Sequence, residues 1–199
     1  EGTTLKIHCA GMGAVRHALN ALEAMRKANG DAGPLHEIAH AGFIHPDDRG
    51  RLVRVRAIAE MSPAIWHYKG PEFAGLAEGF KFKTMSETGA VVTVGSDWII
   101  TPDPNLFPAL GGMLDRGDES VDLETALRVM TIDGATAVGL GGKTGSLEVG
   151  KSADFIVLDR DLFGSTVDEI AETVVLNTIF EGKVVHAADG APISPKVSA

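Results

Sequence analysis

The chain has 199 residues, 44% of them hydrophobic and 23% charged, with a formal net charge of −9. Its mean hydropathy is +0.09 and its pI about 5.2. These values describe ordinary globular material. They argue against nucleic acid or an anionic membrane surface as the main partner, because both demand clustered Lys and Arg. No apolar run is long enough to span a bilayer.

The first element is a short apolar run, Leu5-Lys6-Ile7-His8, which reads as a strand ending on a histidine. A glycine-rich turn, Cys9 to Gly13, leads into a helix expected from about Ala14 to Ala28. Val15, Ala18, Leu19, Leu22 and Met25 recur there at helical spacing, and Asn29-Gly30 supplies the stop. Cys9 is the only cysteine, so an intrachain disulfide framework is excluded and a reducing, cytoplasmic compartment is expected. Side chains alternate along a strand, so Cys9 should face away from His8, as a buried structural thiol. His17 falls on the helix flank and His45 at a helix entry.

Pro34 to His40 is the second strand, again closing on a histidine, and His45-Pro46-Asp47-Asp48 opens a short helix. Arg56 to Met61 forms a third strand, ended by Ser62-Pro63. Trp66, His67 and Tyr68 then fall in a loop past a strand end, where they either line a pocket or pack against the top of the sheet. A helix from about Pro71 to Glu87, weakened by Gly75 and Gly79, precedes Val91-Val92-Thr93-Val94-Gly95-Ser96-Asp97. That β-branched run reads as a strand buried on both faces that delivers one carboxylate at its C-terminal end, where parallel α/β sheets keep their chemistry.

The spacings matter. His8 and His40 are 32 residues apart and His40 and Asp97 are 57 apart. With roughly 30 residues to a βα unit, these steps are about one unit and two. Two imidazoles and a carboxylate would then sit on one rim, able to converge on a metal ion. On spacing alone, two satisfied core histidines and a helix-capping aspartate explain the pattern at least as well.

Past Asp97, Thr101 to Pro104 reads as a rigid loop, followed by helices at Leu106 to Leu114, from an Asp122 cap to Met130, and at Gly134 to Leu140. From Gly145 the grammar changes to short strands and tight turns: Ser146-Leu147, Asp154 to Asp159, Val174 to Phe180, and Val184 to His186 after a Glu181-Gly182-Lys183 turn. The expected organisation is an α/β part over residues 1–140, an antiparallel β unit over 141–187, and a loose tail over 188–199.

Taken together, strand-His8, strand-His40, strand-Gly95-Ser96-Asp97, Ala126-Leu127-Arg128-Val129-Met130-Thr131 and the long Gly145-Ser146-Leu147-Glu148-Val149-Gly150-Lys151-Ser152-Ala153-Asp154-Phe155-Ile156-Val157-Leu158-Asp159 stretch resemble the amidohydrolase superfamily. The nearest likeness is the amidohydrolase-3 branch, with its N-substituted formamide deformylases and D-aminoacylase-like enzymes. The resemblance implies the C-terminal half of a (β/α)8 TIM barrel, about strands 5 to 8, plus the C-terminal part of a small β-sandwich. It implies His8 and His40 as metal ligands and Asp97 as a ligand that also handles the proton. The cofactor would be a divalent metal, zinc by donor type, with one or two ions in the intact enzyme. The reaction would be hydrolysis of a small-molecule amide-type C–N bond by metal-activated water, with Trp66 and His67 against the substrate.

The chain begins at Glu1, only a few residues before its first site histidine, so it reads as a fragment. The expected partners are a missing N-terminal half or a second copy in a homo-oligomer, because half a barrel leaves sheet edges and an interior to cover. The competing expectation is a catalytically silent fragment that serves as an assembly or regulatory module.

Overall fold

Four short parallel strands form the frame of the site: β1 (Lys6–His8), β2 (His36–Ala39), β3 (Ala57–Met61) and β4 (Val92–Val94), ordered in space as in sequence. A computed structural model describes residues 2–62, 75, 76, 78–98 and 103–194. Lys6 pairs with Glu37, His36 with Ala57 and Ala59 with Val92, so every crossover steps to the adjacent strand. Antiparallel neighbours need only a tight turn; parallel ones need a crossover. Two of the crossovers are the helices α1 (Met12–Asn29) and α2 (Pro46–Val55).

Alternation divides the sheet into two chemically distinct faces. Ile7, Cys9, Ile38, Ala57, Ala59, Met61, Val92 and Val94 join the apolar cluster under the helices, with Val15, Leu19 and Leu22 of α1 and Leu52 and Val55 of α2. The other face carries Lys6, His8, Glu37, Glu60 and Thr93. Cys9 is therefore the buried thiol its alternation predicted, and burial in that apolar layer pushes its pKa up. His17 is exposed on the flank of α1. His45 is the N-cap of α2, its Nδ1 accepting the Asp47 backbone N–H at 3.3 Å.

The helix expected from Pro71 to Glu87 is a correction. Among the described residues the α-helix there is only α3 (Phe82–Glu87). Phe80 takes a left-handed φ of 53°, and its N–H donates to the Gly42 carbonyl at 2.6 Å, which turns the chain out of helical geometry. Gly79 is required at this crossing, because a β-carbon there would lie 2.9 Å from the Gly42 carbonyl oxygen. Next come α4 (Phe107–Leu114), α5 (Leu123–Met130) and α6 (Ile132–Ala137), with Asp122 capping α5 through the Thr125 N–H at 2.7 Å. α6 thus begins and ends earlier than expected.

The second sheet is antiparallel: β5 (Phe155–Leu158), β6 (Val175–Phe180) and β7 (Lys183–Ala187). Ser146-Leu147, read as a strand, is instead part of a turn closed by Ser146, Glu148 and Lys151. The helix α7 (Val167–Ala171) was not anticipated, although Thr166 and Glu169 form a full capping box, a signal present in the sequence. α7 packs on α4 where Gly111 has no β-carbon; one placed there would lie 3.1 Å from Ala171 Cβ. The segment after β7 is fastened: Asn177 donates to the Ile193 carbonyl at 2.9 Å and accepts the Ile193 N–H at 3.2 Å.

Candidate functional site

His8 ends β1, His40 follows β2 by one residue, and Asp97 follows the end of β4, so all three stand on the C-terminal rim of the parallel sheet. The His8 and His40 rings meet edge to face, with centroids 4.7 Å apart and an interplanar angle of 72°. His40 Nδ1 lies 4.0 Å from Asp97 Oδ2, and the two side chains are 24% and 33% exposed. The structure therefore brings together the three residues that the spacing singled out. Trp66 and His67, the expected substrate contacts, lie outside the described residues, as does Tyr68.

The local backbone explains this convergence. His40 and Asp97 both adopt left-handed conformations, with φ of 56° and 49°. A β-carbon disfavours that region by about 1–2 kcal/mol, and such residues collect at functional sites. At each position the strand stops alternating and its last side chain is redirected. The turn past His40 is held by Gly42 N–H donating to the His40 carbonyl at 2.6 Å and by Ala41 N–H donating to the Glu60 carbonyl at 2.8 Å.

Satisfied core histidines and a capping aspartate would have hydrogen-bond partners. Among the described residues no hydrogen bond engages the side chains of His8, His40 or Asp97, and Asp97 caps no helix. Two imidazoles and one carboxylate with free donor capacity suit a divalent ion of the zinc type. The set fits such an ion in the chemistry of its donors. It is not drawn into a closed cage, since among the described residues no three His, Cys, Asp or Glu side chains cluster tightly enough to hold a metal by themselves.

Beneath the rim lies a layer of charge that was not singled out in the sequence. Lys6 forms an ion pair with Glu37, and its Nζ is 4.0 Å from Glu60 Oε2. Partial burial works against the Lys6 ammonium, but the Glu37 hydrogen bond and the charges of Glu60, Glu37 and Asp97 outweigh it and raise its pKa. Glu60 is buried, at 6% exposure. The signal was a carboxylate inside an otherwise apolar strand, Ala57–Met61, where burial without a role is costly.

A parallel α/β sheet with two histidines and an aspartate on one rim defines the class. The chain belongs to the amidohydrolase family, whose sequence profile matches residues 1–186. It is 28% identical to the N-substituted formamide deformylase of Arthrobacter pascens over 95% of this chain and 38% of that protein. It is 27% identical to the protein LONG AFTER FAR-RED 3 of Arabidopsis thaliana over 94% of this chain and 34% of that protein. The chain thus spans well under half the length of these relatives. Among solved structures, an adenosine deaminase from Xanthomonas campestris with bound zinc superposes with a TM-score of 0.69 at 17% identity, over 93% of this chain and 46% of that one. A metal-dependent hydrolase from Pyrococcus horikoshii gives 0.68 at 23% identity, over 84% and 36%. At such identities these two likenesses carry the fold. No helix among the described residues is long and apolar enough to cross a membrane.

Proposed function

We propose that this chain carries the His8, His40 and Asp97 portion of a metal-dependent amidohydrolase site that hydrolyses an amide-type C–N bond of a small molecule. The observation that carries this reading is the convergence on one rim of three side chains without hydrogen-bond partners among the described residues, in a chain of the amidohydrolase family. The order β1-β2-β3-β4 is what four consecutive units of a (β/α)8 barrel would give, and it supports reading the parallel sheet as strands 5 to 8.

His8 and His40 would hold the ion as neutral nitrogen donors. Bound there, a divalent ion supplies Lewis acidity toward a carbonyl and toward a water. Asp97 would have two roles: one carboxylate oxygen would serve as a ligand, and the carboxylate would accept a proton from the attacking water and return it to the departing amine. Asp97 sits on a left-handed backbone with its side chain one-third exposed, so its carboxylate is accessible to water. Trp66 and His67, past the end of β3, are proposed to line the substrate side.

Elemental analysis and zinc titration of the chain test this. The unaltered protein should take up zinc. His8→Ala and Asp97→Ala should each weaken binding by about 10-fold or more, and their combination should abolish C–N hydrolysis in the parent enzyme. Retained hydrolysis in the double variant would sink the reading.

A second reading, a catalytically silent assembly module, draws on the antiparallel sheet, one face of which carries Ile156 and Phe180, 47 and 55% exposed. Faces of that kind are characteristic of association surfaces. Strictly monomeric light scattering together with stoichiometric zinc would exclude it.

A further inference from the structure

β3 contributes nothing to the His8, His40 and Asp97 set, yet it runs between β2 and β4, which carry two of its members. We propose that Glu60 of β3 is the positioning residue of the rim: its carboxylate fixes the turn at His40 on one side and seats the Gly95-to-Asp97 segment on the other. The inference rests on the site reading above for its importance but on independent contacts for its evidence.

A carboxylate exposed to only 6% must be hydrogen-bonded, and the partners of Glu60 are informative. Oε2 accepts the backbone N–H of His40 at 3.1 Å. Oε1 accepts the Ser62 hydroxyl at 2.8 Å. The main-chain carbonyl of Glu60 accepts the N–H of Ala41 at 2.8 Å. One residue therefore holds the two successive amides that bracket the left-handed bend at His40, a conformation its β-carbon resists.

Across the sheet, Glu60 pairs in register with Thr93, which brings its side chain up against Gly95. A β-carbon on Gly95 would sit 2.9 Å from Glu60 Oε1 and 3.8 Å from Ser62 Oγ. The glycine of the Gly95-Ser96-Asp97 run is thus explained by the carboxylate it accommodates, two residues before Asp97. Removing Glu60 deprives the His40 amide of its acceptor and leaves a void beside Gly95. Both strand ends lose the constraint that turns their last side chains toward each other. The nearby Lys6 offers the alternative that Glu60 is only a counter-ion, and the test separates the two.

Hydrogen exchange of individual amides, read by NMR on the labelled chain without added metal, is the first measurement. Glu60→Ala should accelerate exchange of the His40 amide by about 10-fold relative to the Ile38 and Ile58 amides. Glu60→Gln keeps a carbonyl acceptor and should restore most of the protection, and Lys6→Met should leave it intact. Zinc affinity, by chelator competition, should fall about 10- to 100-fold in Glu60→Ala and much less in Glu60→Gln.

Unchanged His40 exchange in Glu60→Ala overturns the proposal, as does acceleration shared equally by His40, Ile38 and Ile58. Loss of His40 protection in Lys6→Met also overturns it, in favour of the counter-ion role. Should Glu60→Ala fail to fold, Gly95→Ala decides: its methyl presses on Oε1 and should shift and deprotect the His40 amide from the far side of β3, and no such response overturns the proposal. If the unaltered chain takes no zinc, the metal reading fails while the exchange result still decides the role of Glu60. If zinc binds equally well with and without Glu60 and His40 exchange is unchanged, the positioning role fails and the metal reading stands.

Discussion

The two sheets use their polar side chains in opposite ways. In the antiparallel region they are consumed by the fold. Asp154 accepts the Glu181 N–H at 2.8 Å, the Ser152 hydroxyl at 2.8 Å and the Thr144 hydroxyl at 2.6 Å, so one carboxylate ties the turn before β5 to the hairpin between β6 and β7. On the rim of the parallel sheet, the side chains of His8, His40 and Asp97 have no hydrogen-bond partner among the described residues, and two of the three backbones are strained. A polar group already satisfied inside the protein has little left for a ligand; one held in place with its capacity free does. The most conspicuous motif in the chain is therefore scaffold, and the chemistry proposed above rests on single residues at strand ends.

The largest expected effect probes where the core lies. Phe82 is fully buried in the cluster beneath the parallel sheet, whereas Ile179 of β6 is among the few buried apolar residues of the antiparallel unit. Phe82→Ala should cost about 4 kcal/mol and Ile179→Ala about 2 kcal/mol in urea denaturation. Equal costs would break the contrast by showing one core of uniform density.

Next in size is Asn177, fully buried, whose amide exchanges two hydrogen bonds with Ile193. Asn177→Ala should cost about 2 kcal/mol, since it strands both backbone groups of Ile193. Limited proteolysis should then cut the segment after Ala187 well before the rest of the chain. An unchanged digestion pattern would mean that this polar side chain is not structural, contrary to the contrast drawn above.

A smaller effect, of opposite sign, belongs to the rim. His40→Gly removes the β-carbon from a left-handed residue and should stabilise the chain by about 1 kcal/mol while weakening zinc binding. A thermal melt and a zinc titration on the same sample check both halves. Destabilisation would show that the imidazole packing against His8 outweighs the strain.

How much of this was legible follows from what each signal depends on. The parallel strands, α1 and α2 follow from apolar periodicity, which burial enforces directly. The three rim residues were legible as strand ends at unit spacing, but the left-handed turn at His40 was not, because it depends on Glu60 of the neighbouring strand accepting the His40 and Ala41 amides. Glu60 itself was passed over as part of a strand pattern. The helix toward Glu87 was over-extended because its propensity is overruled at Gly79 and Phe80 by a tertiary hydrogen bond to Gly42. α7 is the reverse case: its capping box stood in plain sequence between two strands, and the expectation of an all-β unit obscured it.

The smallest effect separates the sheets by pH. In the antiparallel unit the Arg160 hydrogen bond, helped by the Val174 N–H, holds the Asp159 carboxyl down from 3.8 to about 2. A depressed folded-state pKa contributes stability that is complete above the ordinary carboxylate value and is lost as pH falls from there toward 2. On the parallel sheet Lys6 is raised above 10.5 despite partial burial, by Glu37, Glu60 and Asp97. Its contribution is complete below 10.5 and is lost as pH climbs beyond it. Asp159→Asn should therefore flatten the acid limb of the stability profile and leave the alkaline limb alone, and Lys6→Met should do the reverse. Asp48 and Glu119, also depressed through the Arg51 and Thr84 bonds that outweigh their burial, keep some acid sensitivity in the helix layer of the first region. The acid limb should thus be reduced in Asp159→Asn without vanishing. If Lys6→Met left the alkaline limb untouched, the charge layer beneath the rim would not be energetically coupled to folding, and Glu60 would hold His40 through hydrogen bonds alone.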